Sequence, residues 1–415
     1  MISQHYRHLI AVTLGAIVCF ACGEDAPARS TATLSETAPA PAPTSSTQAP
    51  QTSRPAADVQ DGVLDPDAEY DKGEALAAAG RFAEARQVFE EAARLAPTNG
   101  SLAAAVAIFD DLAAKRISEE VVQRLFQAGQ HANTGRWAEA HADIDEAIRL
   151  APDYPRAHGL RGTLLLHQRK PAEALKALDQ VVTLDPEFAE GHYNRGATHA
   201  ALNQRDAAIA DFTRAIEIQP DFWDAYANRG SVYQNRGIAR ENRQDMLAAM
   251  ADYTKAHDLA PRAVEPLYPR GVLYALAKQW DDAEADFTAV IERDGAHAGA
   301  YHNRGLAYQN QGSDDRAVAD YTKAIELEPA DPAPLINRGM LYAKQKSFER
   351  AIADADQAAS VAPALLNSHY NKGQALEQMS RPKEAAAEYR ILLQKAGPGD
   401  SAFATLARQR LAEIE

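Results

Sequence analysis

The chain has 415 residues, two cysteines and a formal net charge of −15. An acidic chain lacks the basic stripe that phosphate backbones require, so nucleic acid is not an expected ligand, and an anionic lipid surface would repel the body of the protein. A basic or neutral protein segment is the better electrostatic match, although a solvated acidic surface gives the same composition.

The first 21 residues have the pattern of a secretory signal. Arg7 is the only side chain that is fully charged at pH 7 before the weakly polar to apolar run from Leu9 to Ala21. That run has thirteen residues, too few to span a bilayer. Residues 1–21 are therefore predicted to be a signal peptide, and the mature protein is expected to be exported.

Cys22 directly follows Ala21. This arrangement resembles the lipobox of bacterial lipoproteins, with Cys19 and Phe20 where such boxes usually carry Leu and a small residue. The resemblance implies a lipid anchor at Cys22 on the periplasmic side of the envelope. Gly23 lacks the acidic character associated with inner-membrane retention, which favours the outer membrane. The alternatives are ordinary secretion after cleavage nearby, or retention of the segment as a poor anchor.

Residues 22–62 change in composition to Ala, Pro, Ser and Thr. So few apolar side chains cannot offset the cost of ordering the backbone, so this stretch is predicted to be a disordered tether behind the lipidated Cys22. A tether of that length spans roughly 35 Å. Since both cysteines, Cys19 and Cys22, lie before it or at its start, disulfides, cysteine-bound zinc and thiol catalysis are excluded for the rest of the chain.

A pattern of Gly, Ala, an aromatic, Ala and usually Pro then recurs about every 34 residues, most clearly in Gly305, Ala317, Tyr321, Ala324 and Pro329. This period is typical of stacked helical hairpins, and the residues resemble the tetratricopeptide (TPR) repeat. Counting the glycine as the eighth position predicts units at 66–99, 121–154, 155–188, 189–222, 223–263, 264–297, 298–331, 332–365 and 366–399.

The resemblance implies an all-α fold, a right-handed α-solenoid of about nine hairpins. Apolar residues at helical spacing predict an interposed helix within 100–120, and 400–415 is predicted to be a capping helix with Asp400 or Ser401 as its N-cap. Small residues at the eighth and twentieth positions permit close helix crossing, and the aromatic at the twenty-fourth is expected between neighbouring hairpins. Pro at the thirty-second, as in Pro97, ends the second helix.

Unit five is seven residues too long, because polar sequence from Arg236 to Met246 is inserted near the turn between its two helices. Seven residues are two helical turns, so the packing face stays in phase. We expect a projecting knuckle, which is either a contact point or a tolerated length variant at a hairpin tip.

The first helices carry polar residues that the fold does not demand. In TPR proteins the second, fifth, sixth, ninth and twelfth positions line the concave groove, and Asn at the sixth resembles the asparagine ladder of O-linked glycosyltransferase superhelices, which grips a peptide backbone. A carboxamide offers a donor and an acceptor for that purpose. The predicted groove residues are Asn194, Asn228, Asn303, Asn337, Asn371, Tyr193, Tyr268, His302 and Tyr370. The alternative is that the asparagines cap or brace neighbouring helices and the aromatic side chains pack against the next unit.

A basic residue at the seventh position is followed by an Asp sixteen residues later in several units. We interpret these residues as structural ion pairs across each hairpin, with ligand contacts as the alternative. The pairs are Arg195 with Asp211, Arg304 with Asp320, and Arg338 with Asp354.

The sequence contains no recognised catalytic, metal-binding or phosphate-binding motif, so neither an enzyme activity nor a cofactor is predicted. The expected function is that of a non-catalytic adaptor in the bacterial envelope. It would bind a protein or an extended peptide in the groove and touch the membrane only through a lipid anchor. The alternative is a self-associating periplasmic scaffold or assembly factor that uses the convex face.

Overall fold

A computed structural model describes residues 65–96, 99–397 and 401–415. Over these ranges the chain forms twenty helices and no strand, which confirms the predicted all-α hairpin array. The described residues fall into two compact units that divide between Pro261 and Arg262. The predicted signal, the Cys22 anchor, the tether, Pro97 and Asp400 lie outside the described residues.

The first compact unit contains eleven helices, α1 to α11. Their bounds are α1 Pro66–Ala78, α2 Phe82–Leu95, α3 Gly100–Ala113, α4 Glu119–Asn133, α5 Trp137–Leu150, α6 Pro155–His167, α7 Pro171–Leu184, α8 Ala189–Ala201, α9 Arg205–Ile218, α10 Trp223–Arg240 and α11 Arg243–Leu259. Except for α3, they pair as antiparallel hairpins, each with a first helix (α1, α4, α6, α8, α10) and a second helix.

The second compact unit continues with nine helices. These are α12 Leu267–Leu276, α13 Trp280–Arg293, α14 Ala298–Asn310, α15 Asp314–Leu327, α16 Pro332–Lys344, α17 Phe348–Val361, α18 Leu366–Gln378, α19 Pro382–Ala396 and α20 Ala402–Ile414. Their first helices are α12, α14, α16 and α18, and α20 packs on α19 at the end of the array.

The glycine at the eighth position is required because the aromatic ring at the twenty-fourth lies directly on it. A Cβ added to Gly373 would stand 2.5 Å from the ring of Tyr389, and one added to Gly305 would stand 2.9 Å from the ring of Tyr321. The ring therefore covers the glycine of its own hairpin. It also contacts the neighbouring hairpin, as the sequence predicts, since the ring of Phe89 lies 5.5 Å from that of Phe126 on α4, between centroids.

The interposed helix α3 adds a ring to the core of the first compact unit. Phe109 of α3 lies 5.9 Å from Phe89 of α2 and 5.8 Å from Phe126 of α4, between ring centroids. Such an aromatic cluster adds directional contacts to the burial of apolar area. The helix is shorter than the predicted 100–120, since Lys115 adopts a left-handed conformation and Ser118 already caps α4.

The insertion in unit five lengthens both helices of its hairpin. α10 has 18 residues and α11 has 17, and the turn between them consists of Glu241 in a left-handed conformation and Asn242 as the N-cap of α11. Arg236 holds the extended part together through two hydrogen bonds of 2.7 Å to Asp245. The predicted knuckle is therefore a regular helical extension with exposed Ile238 and Leu247 near its end.

The last helix, α20, begins at the cap Ser401, whose side chain accepts a hydrogen bond from the backbone N–H of Ala404. Phe403 lies 5.6 Å from the ring of Tyr370 on α18, so α20 covers the apolar end of the final hairpin. Among the helices with described coordinates, none has the length and apolar character needed to cross a bilayer.

Candidate functional site: the first helices of the repeats

The predicted arginine–aspartate pairs lie across each hairpin in a two-pronged geometry. Arg304 donates to Asp320 from Nε at 2.7 Å and from Nη2 at 2.9 Å. Its Nη1 also donates to Thr288 in the preceding hairpin, at 3.2 Å. The guanidinium thus orients its own hairpin and ties it to the previous one. Arg338 with Asp354 and Arg195 with Asp211 have the same forked geometry.

The environment of Asp211 differs because two histidines flank it. Nitrogens of His192 and His199 lie 3.6 and 3.7 Å from its carboxylate oxygens. Burial acts to raise the pKa of Asp211, but the nearby His192 and the hydrogen bonds from Arg195 outweigh it and hold the pKa below the usual range. The carboxylate stays ionised and acts as the electrostatic centre of this hairpin.

The predicted groove asparagines and aromatic residues bond to one another, from one hairpin to the next. Asn228 donates to the hydroxyl of Tyr193 at 2.6 Å. Asn303 likewise donates to the hydroxyl of Tyr268, at 3.0 Å. In each pair the fifth position of one hairpin meets the sixth position of the following hairpin, 35 residues later.

A third pair joins Asn337 to Nε2 of His302 at 2.9 Å. Burial lowers the pKa of His302 to about 4. The imidazole is therefore neutral near pH 7, and its Nε2 accepts a hydrogen bond from the side-chain N–H of Asn337.

These contacts change the interpretation of the groove residues. Asn303 and Tyr193 have no exposed surface, and His302 has 2%. Such side chains have no free face to offer a peptide, so Asn303 and the buried Asn337 brace neighbouring hairpins. The half-buried Asn228 makes the same kind of bond to Tyr193. The buried Tyr370 lies in the last hairpin, where it packs on α20 and its hydroxyl accepts a hydrogen bond from Gln374.

Asn194 and Asn371 differ from the other three asparagines because the preceding hairpin offers them no polar ring. Gly159 stands at the fifth position before Asn194, and Ile336 stands before Asn371. The side-chain oxygen of Asn194 is buried without a hydrogen-bond partner. Peptide binding by these two side chains stays a prediction.

Sequence reasoning selected both members of these pairs and left open whether they bind a peptide or brace neighbouring helices. The signal that would have paired them is the constant offset of 35 residues, one more than the repeat. Where an Asn has a Tyr or His at that offset before it, the two side chains bond to each other.

The residues at the twelfth position of the first helices were not named among the predicted groove residues, yet their side chains are held in a fixed orientation. Gln309 on α14 accepts a hydrogen bond from the hydroxyl of Tyr321 at 2.8 Å, and Gln234 on α10 accepts one from Tyr253 at 2.8 Å. Glu377 accepts the corresponding bond at the same position of α18. Both glutamines are half-buried, and their amide nitrogens have no acceptor among the described residues.

Two large apolar side chains are exposed on first helices of the second compact unit. Leu276, at the thirteenth position of its repeat, is 44% exposed, and Met340, at the ninth position of its repeat, is 42% exposed. Neither is demanded by the repeat pattern. They give this face apolar contact area beside its amides.

A cleft of about 690 Å³ opens in the first compact unit, where the α3–α4 connection meets the loops before α6 and α8. Tyr154, Arg156 and Phe188 line it, and the guanidinium of Arg156 lies 4.7 Å from the centre of the Phe188 ring. Arg156 also approaches Glu190 at 3.7 Å, and burial raises the pKa of that carboxyl. The cleft therefore combines aromatic surface with a cation held in place.

No group of three or more metal-ligating side chains occurs within the described ranges.

Family models described as tetratricopeptide repeats match residues 66–99, 130–187, 189–222, 298–331 and 336–401. Together these ranges take in more than half of the chain. The chain belongs to the TPR family. Members of this family are generally non-catalytic interaction modules, and the array is a scaffold for protein–protein interaction.

No curated protein matches the sequence. Among solved structures, the chain is similar to YrrB, described as a TPR protein with an unusual peptide-binding site, at 23% identity and a TM-score of 0.41, covering 49% of this chain and 97% of YrrB. A TPR protein from Parabacteroides merdae has 21% identity and a TM-score of 0.42, and the match covers 64% of this chain and 99% of that protein. PilF from Pseudomonas aeruginosa has 18% identity and a TM-score of 0.44, and the match covers 55% of this chain and 97% of PilF.

Proposed function

We propose that this TPR protein is an adaptor of the bacterial envelope that holds an extended segment of a protein partner on its first helices. The observation that carries the proposal is the fixed glutamine at the twelfth position. The hydroxyl of Tyr321 occupies the oxygen of Gln309, which leaves the amide nitrogen as an oriented donor. Gln234 has the same arrangement with Tyr253.

An extended peptide presents a backbone carbonyl that such a donor matches without reading the side chain. Side-chain contacts would come from the exposed Leu276 and Met340, which suit apolar residues of the partner. Exposed Glu265, just before α12, and the net charge of −15 favour a partner with a basic or neutral segment.

The test replaces Gln234 and Gln309 by Glu. Glu keeps the oxygen that the tyrosine hydroxyl needs, as Glu377 does at the same position, but removes the amide donor and adds a charge. Partners are identified by in-cell crosslinking and mass spectrometry, with circular dichroism as the check on folding. Loss of partners from the Q234E/Q309E variant, with unchanged melting, is expected.

Gln180→Glu is the matched control, since it adds the same charge at an exposed position on the second helix α7. Partners retained by both variants would contradict binding at the twelfth position. Such retention, together with a size that grows with protein concentration, would instead favour the self-associating scaffold.

The envelope setting rests on the leader and on Cys22. We expect the mature protein to begin at a lipid-modified Cys22 and to fractionate with the outer membrane. Cys22→Ser removes the acceptor thiol, so the variant should lose the N-terminal lipid mass and appear in the soluble periplasmic fraction. Unmodified wild-type protein in that fraction would show secretion without an anchor.

A further inference from the structure

We infer that the junction between Gly159 and Asn194 is a pocket for one side chain of the bound peptide, a ring that carries a hydrogen-bonding atom, as in Tyr or His. This inference deepens the proposed function and rests on it. It adds a pocket within the first compact unit that would select one side chain of the partner.

The chain itself shows which group fits such a junction. At three other junctions the fifth position of the first hairpin supplies a tyrosine or histidine ring, and the following asparagine bonds to it at 2.6 to 3.0 Å. At each of these junctions the ring carries a hydrogen-bonding atom, a hydroxyl oxygen or a ring nitrogen, because a buried asparagine amide needs a hydrogen-bond partner.

At the Gly159 junction that ring is missing. A Cβ added to Gly159 would have only one neighbour within 4 Å, the Cγ2 atom of Val181 at 4.0 Å. The asparagine that follows, Asn194, is 9% exposed and its oxygen is buried without a partner. An unpaired buried carboxamide costs free energy that a ligand would recover by supplying a donor or an acceptor.

The wall of the junction is also incomplete. In the next hairpin Tyr193 packs against Phe222 at 4.9 Å between centroids, and Phe222 is buried at 7% exposure. The equivalent residue at the Gly159 junction, Phe188, is only half-buried and lines the cleft beside Arg156. Phe188 therefore keeps surface facing the cleft, whereas the equivalent Phe222 is covered by Tyr193.

The expected ligand group follows from these features. A tyrosine ring of the partner would lie against Phe188 and donate a hydrogen bond from its hydroxyl to the unpaired side-chain oxygen of Asn194. A histidine would do the same through a ring nitrogen. Phenylalanine fills the space but leaves the carboxamide unpaired, so it should bind more weakly.

The first experiment uses three fluorescent seven-residue peptides of Ser and Gly with a central Tyr, Phe or Ala, titrated into the purified protein. Fluorescence anisotropy is expected to show the tyrosine peptide binding about five- to tenfold more tightly than the phenylalanine peptide. The alanine peptide is expected to bind weakest. Equal affinities, or no binding of the tyrosine peptide at about 1 mM, would overturn the inference.

Two variants locate the pocket. Asn194→Ala should abolish the preference for Tyr over Phe, and Gly159→Tyr should block the peptide while raising the melting temperature, because the new ring restores the arrangement of the other junctions. Gln180→Ala, at an exposed position on the second helix α7, is the control and should change neither value. A tyrosine preference that survives Asn194→Ala would refute the assignment even if Gly159→Tyr fails to fold.

The two proposals fail separately. If Q234E/Q309E loses its partners but Asn194→Ala keeps them and shows no change in peptide preference, the first helices bind a partner without this pocket. If the tyrosine preference depends on Asn194 while Q234E/Q309E keeps every partner, the pocket stands and binding at the twelfth position fails.

Discussion

Glu74 on α1 is buried at 4% exposure, and it should make the protein less stable as the pH rises. Burial, together with the nearby charge of Asp71, raises the pKa of Glu74 to about 8. The amide of Asn133 donates to its carboxylate at 3.2 Å and opposes this effect without cancelling it. The side chain is therefore mostly protonated at pH 7 in the folded protein.

The sign of the effect follows from proton uptake. The unfolded chain releases this proton near pH 4.5, whereas the folded protein keeps it to about pH 8. Stability contributed by neutral Glu74 is thus complete below pH 4.5 and is lost as the pH rises to 8. One pKa unit corresponds to about 1.4 kcal/mol, so the loss reaches up to about 5 kcal/mol across this window.

Glu74→Gln keeps the shape and the acceptor for Asn133 but cannot ionise. Urea unfolding followed by circular dichroism at pH 5 and pH 8 should show little difference from wild type at pH 5 and a clear gain at pH 8. Hydrogen exchange of α1 and α4 assigns the change to this region. Glu139→Gln, at an exposed position on α5, should show no such gain. Equal pH dependence in wild type and Glu74→Gln would refute the reasoning.

Three further variants address the hairpins. Gly373→Ala places a Cβ 2.5 Å from the ring of Tyr389 and should lower the free energy of unfolding by about 1–3 kcal/mol, measured by urea denaturation. Arg304→Lys loses the forked bond to Asp320 and should cost about 1–2 kcal/mol in the same assay. Asn303→Ala leaves the buried hydroxyl of the preceding hairpin without its donor, and we expect a loss of about 1–3 kcal/mol.

Each of these variants has a matched control. Gly295→Ala adds a Cβ whose nearest neighbour is 3.9 Å away and should be nearly neutral. Arg262→Lys changes an exposed arginine. Asn371→Ala removes an asparagine that braces nothing in the preceding hairpin. A control that destabilises as much as its partner would show that the specific contact is not the cause.

The hairpin array was predictable because the residues that pack two helices together lie within one repeat and recur with it. The small eighth residue and the large twenty-fourth recur together, so either one predicts the other. The roles of the asparagines were not predictable in the same way. Asn303 and its partner Tyr268 belong to different repeats, and a pattern read within single repeats could not decide between ligand binding and bracing. Two added helical turns were expected in unit five, but their division between α10 and α11 was not, since the polar insertion does not mark where the turn lies.

The arginine that reaches back to a threonine also determines how the array comes apart. Arg304 is fastened to Thr288 and Arg338 to Thr322, each in the hairpin before its own. When one hairpin unfolds, its neighbour therefore loses a hydrogen bond. Unfolding should then spread to that neighbour instead of stopping at the repeat boundary. Under a pulling force, residues 298–361 should yield as one cooperative block, with a single force peak in place of two.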